Sequence, residues 1–249
     1  MQAVILAAGR GQRLAPVTNH LPKCLVPIDG KPLLQYQMEA LKKWGVQKLC
    51  VVVGSHKEKI QDFLKSEPGI QVVENPEYQT TNIIASFWCA LSVIKPADDL
   101  VVMAGDVLFE ESVIKNLLES PEADMTLCVE RKRCGEEEVK VILKGNLVTG
   151  LGKNLDPKNC YGEFLGVFKA RRVVFEEIRQ IVNEMVSARQ VQGYLFDMIN
   201  RLAQERKRVV RGLEIGDALW EDIDVWEDVE RVTRKFRSKR KALLTGECL

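Results

Sequence analysis

The hydrophobic pattern of the first half of the chain alternates between short apolar runs and segments with apolar residues at helical spacing. The runs AVILAA, KLCVVVG and DLVVMAGD are typical of strands buried on both faces, and IQVVEN predicts a shorter strand. Helices are predicted for PLLQYQMEALKKW (32–44), for residues 57–66, for TNIIASFWCALSVI with Thr81 or Asn82 as N-cap, and for EESVIKNLLES. This alternation predicts a Rossmann-like α/β fold, with a mostly parallel sheet and helices on both faces.

After residue 123 the pattern changes to strand-like segments separated by turns. DMTLCVER, VKVILKG, LVTGLG and GEFLGVFKA predict a mixed extension of the sheet, followed by helices near 172–186 and 194–206. Two further strand-like segments are KRVVRGLEI and DALWEDIDV, and a last helix runs from about Trp226 into the basic stretch RKFRSKRK. We expect a single domain over 1–249, with halves at about 1–122 and 123–232 and a basic helix or tail at 233–249.

Composition and charge narrow the classes of function. Lys plus Arg number 36 and Asp plus Glu number 35, so the net charge is +1 and no global field favours nucleic acid or a membrane surface. Seven cysteines without a CxxC pair are typical of free thiols, and two histidines are a poor supply for a zinc site or a Ser-His-Asp triad. The sequence has no signal-peptide pattern and no apolar run near about 18 residues. We expect a soluble, cytoplasmic protein.

The N-terminal stretch places small residues first and positive charge directly after them. The strand AVIL runs into a loop rich in alanine and glycine, so backbone N–H groups at the carboxyl end of a parallel strand are open to an anion. Arg13 and Lys23 then supply charge for phosphates. Leu14 stands where a dinucleotide-binding fingerprint has its third glycine, and no GK[ST] follows, so neither common phosphate motif is complete. The segment still predicts a site for a triphosphate.

The order and spacing of several motifs along the chain resemble the signature of the sugar-nucleotidyltransferase family, also called nucleotide pyrophosphorylases. LAAGRGQRL, PKCLVPIDGKPLL and the AGD at 104–106 stand in the family's order, and WEDIDVWEDVERV at 220–232 is similar to its C-terminal element. The resemblance implies a GT-A-like nucleotidyltransferase fold with a small acceptor-binding lobe. It also implies Mg²⁺ held by Asp106 and a second aspartate, and it places Asp224 rather than Asp222 in that second role.

A finer resemblance points to one branch of this family. NPEYQTTNIIASFWCA at 75–90 is similar to a segment of phosphocholine cytidylyltransferases, and VKVILKGNLVTGLGKNL with YGEFLGVFK resembles the enzymes that act on inositol 1-phosphate and aminoethylphosphonate. Many sugar-using relatives carry a glycine-rich stretch where this chain has residues 81–84. The branch implies CTP and a phosphorylated alcohol, and it leaves phosphocholine, inositol 1-phosphate, glycerol phosphate, an aminoethylphosphonate and phosphorylated amides open as acceptors.

The resemblance implies roles for individual residues. As the catalytic pair, Lys23 contacts the α-phosphate and Arg13 the departing pyrophosphate. The acceptor phosphate needs no general base, because its second pKa is about 6 and it is an anion at neutral pH. The candidate acceptor-binding residues are Lys153, Lys140, Glu163 and Tyr161. The predicted nucleotide-binding residues are Leu6, Ala7, Ala8, Gly9, Gly11, Arg13, Lys23, Thr81, Asn82, Ser86, Ala104, Gly105 and Asp106.

Other functions stay open at this point. The same fold and motifs serve sugar-1-phosphate nucleotidyltransferases that use UTP, GTP or dTTP, and a non-catalytic nucleotide sensor is a further alternative. Binding of nucleic acid by RKFRSKRK is disfavoured because the net charge is low and no aromatic residues interleave the basic ones. The apolar residues of the last helix, Trp226, Val229 and Val232, pack either on the core or on a second subunit, so a homodimer is also open.

Overall fold

The computed structural model of the chain describes residues 1–95 and 97–245, with side chains through residue 239. Its strands are β1 (Gln2–Leu6), β2 (Pro27–Ile28), β3 (Lys31–Pro32), β4 (Lys48–Val53), β5 (Ile70–Glu74), β6 (Leu100–Ala104), β7 (Val107–Phe109), β8 (Met125–Glu130), β9 (Lys140–Lys144), β10 (Leu147–Gly152), β11 (Gly162–Ala170), β12 (Val210–Glu214) and β13 (Trp220–Asp222). Its helices are α1 (Leu33–Lys43), α2 (Lys57–Leu64), α3 (Ile83–Leu91), α4 (Glu111–Glu119), α5 (Phe175–Ser187), α6 (Leu195–Gln204) and α7 (Trp226–Thr245).

Within the described residues, nine strands form one mixed sheet in the order β5-β4-β1-β6-β11-β8-β12-β10-β9. The four strands of the first half, β5, β4, β1 and β6, are parallel, whereas β11 runs antiparallel to both β6 and β8. The predicted α/β class is confirmed, including the change from a parallel to a mixed sheet after residue 123. Because Leu6 pairs with Ala104, the loops that leave β1 and β6 emerge side by side at one edge of the sheet.

Most predicted elements appear with shifts of a few residues at their ends. Asn82 rather than Thr81 caps α3, since its side-chain oxygen accepts a hydrogen bond from the Ile83 amide at 2.7 Å. Two small ladders were not predicted from the sequence, the hairpin of β2 with β3 and the pairing of β13 with β7. Strands of two or three residues carry no periodicity that a sequence pattern could reveal.

The buried side chains divide into three clusters. Alternate residues of β1 enter different clusters, Val4 and Leu6 one and Ala3 and Ile5 another, so the two large clusters cover opposite faces of the sheet. The third cluster joins the N-terminal loop, the β2–β3 hairpin and the last helix. Its members are Leu14, Val26, Ile28, Leu33, Leu108, Ile223, Val229 and Val232. Val229 and Val232 of α7 therefore pack on the core of their own chain, whereas Trp226 is 44% exposed.

The third cluster makes a testable contribution to stability. Val232 on α7 is fully buried, so replacing it by alanine is expected to lower the free energy of unfolding by about 1–3 kcal/mol. Val173→Ala is the matched control, because Val173 is 56% exposed and its loss should cost less than about 0.5 kcal/mol. Urea unfolding of the two variants measures the difference. Equal losses would contradict the packing of α7 on the core.

Most basic residues of α7 that the structure describes form ion pairs within the chain, and Arg234 donates instead to the backbone carbonyl of Glu230. Lys235 pairs with Glu221 at 3.1 Å, and Lys239 pairs with Glu110 at 2.7 Å. Arg231 pairs with Glu221 and Asp228, and Arg237 pairs with Asp29. These contacts give four basic side chains of the helix carboxylate partners within the chain, without a nucleic acid. The rest of the predicted basic tail, including residues 246–249, lies outside the described part.

Nowhere in the described residues is a helix both long enough and apolar enough to span a bilayer.

Six cysteines lie in the described part of the chain and all are free thiols, as the sequence indicated; Cys248 lies outside it. Burial raises the pKa of Cys24, Cys50 and Cys128 to about 12, which leaves these thiols almost wholly protonated at neutral pH.

The thiols are expected to differ in reactivity. At pH 8, iodoacetamide should modify the partly exposed Cys160 in the native protein and leave Cys24, Cys50 and Cys128 unmodified, because only the thiolate reacts. Peptide mass spectrometry after brief labelling reads each site separately, and labelling in urea provides the unfolded control. Rapid modification of Cys24 in the native state would show that the loop beside it opens.

Candidate active site

The Lys23 ammonium lies at the centre of the site. Lys23 begins a short 3-10 turn, Lys23–Leu25, and its side chain is only 10% exposed. The Nζ atom donates hydrogen bonds to Asp106 Oδ2 and to Asp224 Oδ1, both at 2.8 Å. The two carboxylates compensate the charge of this buried lysine and fix the position of its ammonium group.

The glycine-containing loop packs directly on the stem of this lysine. Gly11 has φ of +59°, a left-handed conformation that favours glycine, and a Cβ atom there would lie 3.0 Å from Lys23 Cβ. The Thr18 hydroxyl donates to the Gly11 carbonyl at 2.8 Å and secures the turn from the other side. Gly11 thus has a structural reason to be small, which is to let the loop close over Lys23.

Three aspartates meet around Lys23. Asp106 lies in the turn between β6 and β7, Asp222 ends β13, and Asp224 precedes α7. Each offers a carboxylate oxygen, and these oxygens lie within 4.8 Å of one another. The pairing of β13 with β7 brings them together, because it sets Asp222 opposite Val107, next to Asp106 in the chain. The sequence favoured Asp224 over Asp222, whereas the structure brings both to the cluster.

The charges in this cluster shift the proton affinities of its members. Burial alone would lower the pKa of Lys23, but the three aspartates outweigh burial and raise the pKa above its ordinary value. Burial raises the pKa of Asp222 to about 8, and the neighbouring Asp106 carboxylate adds to the rise, while Lys23 opposes it. Three carboxylates around one ammonium leave a negative excess, and the cluster has the charge and the oxygen donors that suit a divalent cation such as Mg²⁺.

Arg13 reaches the same cluster from the outside. Its guanidinium donates to Asp224 Oδ2, and its side chain is 64% exposed. Leu14, the next residue, is buried in the third core cluster beside Ile223, which precedes Asp224. The core contact thus holds the arginine loop against the aspartate loop, and it leaves the charged end of Arg13 open to solvent.

A first cavity opens beside Lys23. Its lining includes most of the residues predicted to bind nucleotide: Leu6, Ala7, Ala8, Gly9, Lys23, Thr81, Asn82, Ser86, Gly105 and Asp106. Asn75 and Tyr78 also line it, and the sequence had marked them only as part of a motif. The buried Asn75 amide donates to Ser86 Oγ at 3.0 Å and to Thr81 Oγ1 at 3.2 Å, which holds these hydroxyl groups at the cavity wall.

A second, larger cavity of about 690 Å³ opens on the other side of the aspartates. Arg13, Ala104, Lys153 and Glu163 line it, as do the aromatic rings of Tyr194, Phe196 and Trp220. The Tyr194 and Phe196 rings are stacked with centroids 4.9 Å apart, and Lys153 Nζ lies 5.8 Å from the Tyr194 ring centroid. The lining of this cavity thus combines charged groups of both signs with aromatic side chains.

Lys132 is a residue of this second cavity that sequence reasoning missed. Its ammonium lies 2.9 Å from Glu163, 3.6 Å from Glu138 and 3.8 Å from Glu130. Burial raises the pKa of Glu163, although Lys132 opposes the rise. Three carboxylates around one ammonium leave a negative excess at this wall. No sequence motif marked Lys132, since its partners come from two strands and from the loop before β9.

Two predicted acceptor-binding residues lie elsewhere. Lys140 is 1% exposed, and its ammonium donates to the backbone carbonyls of Glu136 at 3.2 Å and Lys153 at 2.5 Å. It holds the chain that carries Lys153 instead of lining the cavity. The Tyr161 hydroxyl donates to Glu214, also away from the cavity. A direct contact of either side chain with an acceptor is not supported, because the donors they would use are engaged within the fold.

The comparison with known proteins fits this geometry. A family model described as the MobA-like NTP transferase domain matches residues 3–202, most of the chain. The chain belongs to this family. The nucleotidyltransferase resemblance predicted from the sequence is therefore confirmed, and the glycine loop, Lys23 and Asp106 all lie within the matched residues.

Individual relatives extend the comparison. The chain is 29% identical to the bifunctional protein GlmU of Methanococcus maripaludis over 99% of its own length, but it spans only 57% of that relative. It is 27% identical to the CTP:phosphoglutamine cytidylyltransferase of Campylobacter jejuni, over 92% of this chain and 98% of the relative. The solved inositol-1-phosphate CTP transferase from T. maritima matches with a TM-score of 0.78 and 26% identity, over 94% of this chain and 93% of that one. The cytidylyltransferase branch is thus represented among its similar proteins.

Proposed function

We propose that this protein transfers CMP from CTP to a small phosphorylated head group and releases pyrophosphate. The observation that carries the proposal is the position of the Lys23 and aspartate cluster between two cavities, one lined by the predicted nucleotide residues and one by Lys153 and Glu163. An in-line transfer of a nucleotidyl group requires that the two substrates lie on either side of one charged centre.

The chemistry follows from the charges. An oxygen of the acceptor phosphate attacks the α-phosphorus of the nucleotide, and the bond from that phosphorus to the bridging oxygen of pyrophosphate breaks. Lys23 stabilises the negative charge that develops on the α-phosphate, and Arg13 binds the leaving pyrophosphate. Asp106, with Asp222 and Asp224, would hold Mg²⁺, which neutralises phosphate charge when bound. No side chain is needed as a general base, because the acceptor is an anion at neutral pH.

Two features support CTP as the nucleotide. The wall of the first cavity presents the hydroxyl groups of Thr81 and Ser86, held by Asn75, and Thr81 belongs to the segment 81–84 where many sugar-using relatives have a glycine-rich stretch. Similar proteins include a CTP:phosphoglutamine cytidylyltransferase and an inositol-1-phosphate CTP transferase. We infer that polar groups on this wall, together with backbone at residues 6–8, read the cytosine base.

The second cavity favours an acceptor that carries a phosphate at one end and a polar or amino group at the other. Lys153 is the candidate partner of the acceptor phosphate, since the family resemblance implies a phosphate-contacting lysine at this position and Lys153 lines the second cavity. The negative wall around Lys132 and Glu163 would meet a polar or amino-bearing end, and the Tyr194 and Phe196 pair would cover its apolar part. A phosphorylated amino alcohol or amide fits both ends, and inositol 1-phosphate stays an alternative.

A sugar-1-phosphate nucleotidyltransferase using UTP, GTP or dTTP is the second candidate. The similarity to GlmU over 99% of this chain favours it. Release of pyrophosphate with Mg²⁺ separates the two candidates when four nucleoside triphosphates are crossed with phosphorylated alcohols, amides and sugar 1-phosphates. Turnover with CTP and a phosphorylated alcohol or amide is the expected result. Turnover only with another triphosphate and a sugar 1-phosphate would replace the proposal, and nucleotide binding without turnover would favour a sensor.

A further inference from the structure

Gln37 makes an unusual pair of contacts behind the candidate active site. It lies in the second turn of α1 and is 1% exposed. Its side-chain Nε2 donates hydrogen bonds to the backbone carbonyls of Ala104 and Val107, both at 2.8 Å. These two carbonyls flank the Gly105-Asp106 turn, so one amide group holds both ends of the segment that presents Asp106.

Two further hydrogen bonds attach the same turn to its neighbours. The Gly105 amide donates to the Leu6 carbonyl at 2.9 Å, and the Ile223 amide donates to the Asp106 carbonyl at 3.0 Å. A Cβ atom at Gly105 would lie 2.8 Å from Ala7 Cα, so the turn presses closely on the loop that follows β1. The Asp106 backbone is thus secured by β1, by the segment before α7 and, through Gln37, by α1.

The carboxamide of Gln37 suits this pair of contacts. Two carbonyl oxygens need two donors, and the NH₂ group of glutamine supplies both from one nitrogen. The Oε1 atom of Gln37 has no partner among the described residues, so the Nε2 contacts alone account for the orientation of this buried amide. A rotation that exchanged the oxygen and the nitrogen would set Oε1 against two carbonyl oxygens, which excludes that orientation.

The same helix supports Lys23. The residues after Lys23, Cys24 and Leu25, are buried in one core cluster with Leu34 and Met38 of α1. The helix therefore contacts the lysine turn through apolar packing and the aspartate turn through Gln37. A shift of the aspartate turn relative to α1 would change the distance between Lys23 Nζ and Asp106 Oδ2, which is 2.8 Å.

We propose that Gln37 is a positioning residue that fixes the Asp106 carboxylate for cation binding and for the charge pair with Lys23. This inference rests on the proposed function for its catalytic consequence, but its geometric claim concerns the aspartate cluster alone. Gln37 lines neither of the two cavities described above, so its effect passes through the backbone of the Gly105-Asp106 turn. Partners that orient metal ligands without touching the metal typically contribute about 10–100-fold to affinity or activity.

The test uses Gln37→Met, which keeps the length of the side chain and removes both donors. Binding of Mn²⁺ to the protein, followed by electron paramagnetic resonance of the free ion, is expected to weaken about 10–100-fold. The Mg²⁺ concentration that gives half-maximal turnover should rise by a similar factor. Gln2→Met is the matched control, because Gln2 is also buried and its amide donates to a backbone carbonyl, that of Lys95, at 2.7 Å and away from the cluster.

The outcomes are distinct. Unchanged Mn²⁺ binding by Gln37→Met, or equal weakening by Gln2→Met, overturns the inference, as does a wild-type protein that binds no Mn²⁺. If Gln37→Met does not fold, Gln37→Asn, which keeps the amide on a side chain too short to reach both carbonyls, is expected to weaken Mn²⁺ binding in the same direction. A wild-type protein without turnover on any substrate pair, but with Mn²⁺ binding that depends on Gln37, would refute the proposed function and leave the inference standing.

Discussion

Lys23→Met is expected to lower kcat by about 10²–10³-fold, the loss that follows removal of one preorganised donor from a developing negative charge. The buried ammonium lies 2.8 Å from two carboxylates and lines the first cavity. Arg13, the other described cation that pairs with the cluster, is mostly exposed and contacts only Asp224. Steady-state pyrophosphate release measures the effect.

The control for this variant is Lys57→Met. Lys57 forms an ion pair with Glu74 at 2.7 Å on the surface, so its loss should leave kcat unchanged. Lys23→Met also leaves three carboxylates without their ammonium, and it should therefore melt at a lower temperature than the wild type, with recovery when Mg²⁺ is added. Turnover near the wild-type rate in Lys23→Met would show that the lysine is only a structural counter-ion.

Asp106→Asn is expected to lower kcat by at least about 10²-fold at fixed Mg²⁺, which corresponds to about 2.7 kcal/mol of activation free energy. The substitution keeps the size of the side chain and removes one of the three carboxylates whose oxygens meet within 4.8 Å. Asp222→Asn and Asp224→Asn should show the same sign, and the variant with the greater rise in Mg²⁺ requirement identifies the second ligand. Asp62→Asn, at an exposed helix position, is the control.

The aspartate series also separates an enzyme from a nucleotide sensor. For an enzyme, Asp106→Asn loses turnover while binding of CTP measured without metal is changed little. Unchanged turnover in Asp106→Asn would remove the metal assignment. A wild-type protein that binds CTP and never turns over would instead make the aspartates part of a binding site only.

The elements that the sequence predicted well share one physical property. Strands such as β1 and β6 are buried on both faces, so their apolar runs are continuous, and the helices between them carry a clear apolar stripe. The β2–β3 hairpin and the β13–β7 ladder were not predicted, because two or three residues do not establish a period. The β13–β7 ladder positions Asp222, so only the structure shows that Asp222 belongs to the aspartate cluster.

The acceptor side was the hardest to predict. The sequence does not distinguish Lys140 from Lys153, since both are lysines near the same strands. In the structure the Lys140 ammonium donates its hydrogen bonds to backbone carbonyls, whereas Lys153 lines the cavity. Lys132 carried no motif at all, although it sits among three carboxylates of the same cavity. The roles of Lys153 and Glu163 stay proposals that the acceptor panel will test.

The sequence by itself determined the parallel half of the sheet, the glycine loop and the residue types that phosphate chemistry needs, because each of these depends on neighbours along the chain. Tertiary structure alone decided which charges meet: Lys23 and Asp224 are 201 positions apart, and strand pairing together with the third core cluster brings them to 2.8 Å. Tertiary structure likewise decided the hydrogen bonds from Gln37 to the turn that carries Asp106. Periodicity is a local property of the chain. The convergence of side chains depends on how elements far apart in the sequence pack, and no local pattern encodes that packing.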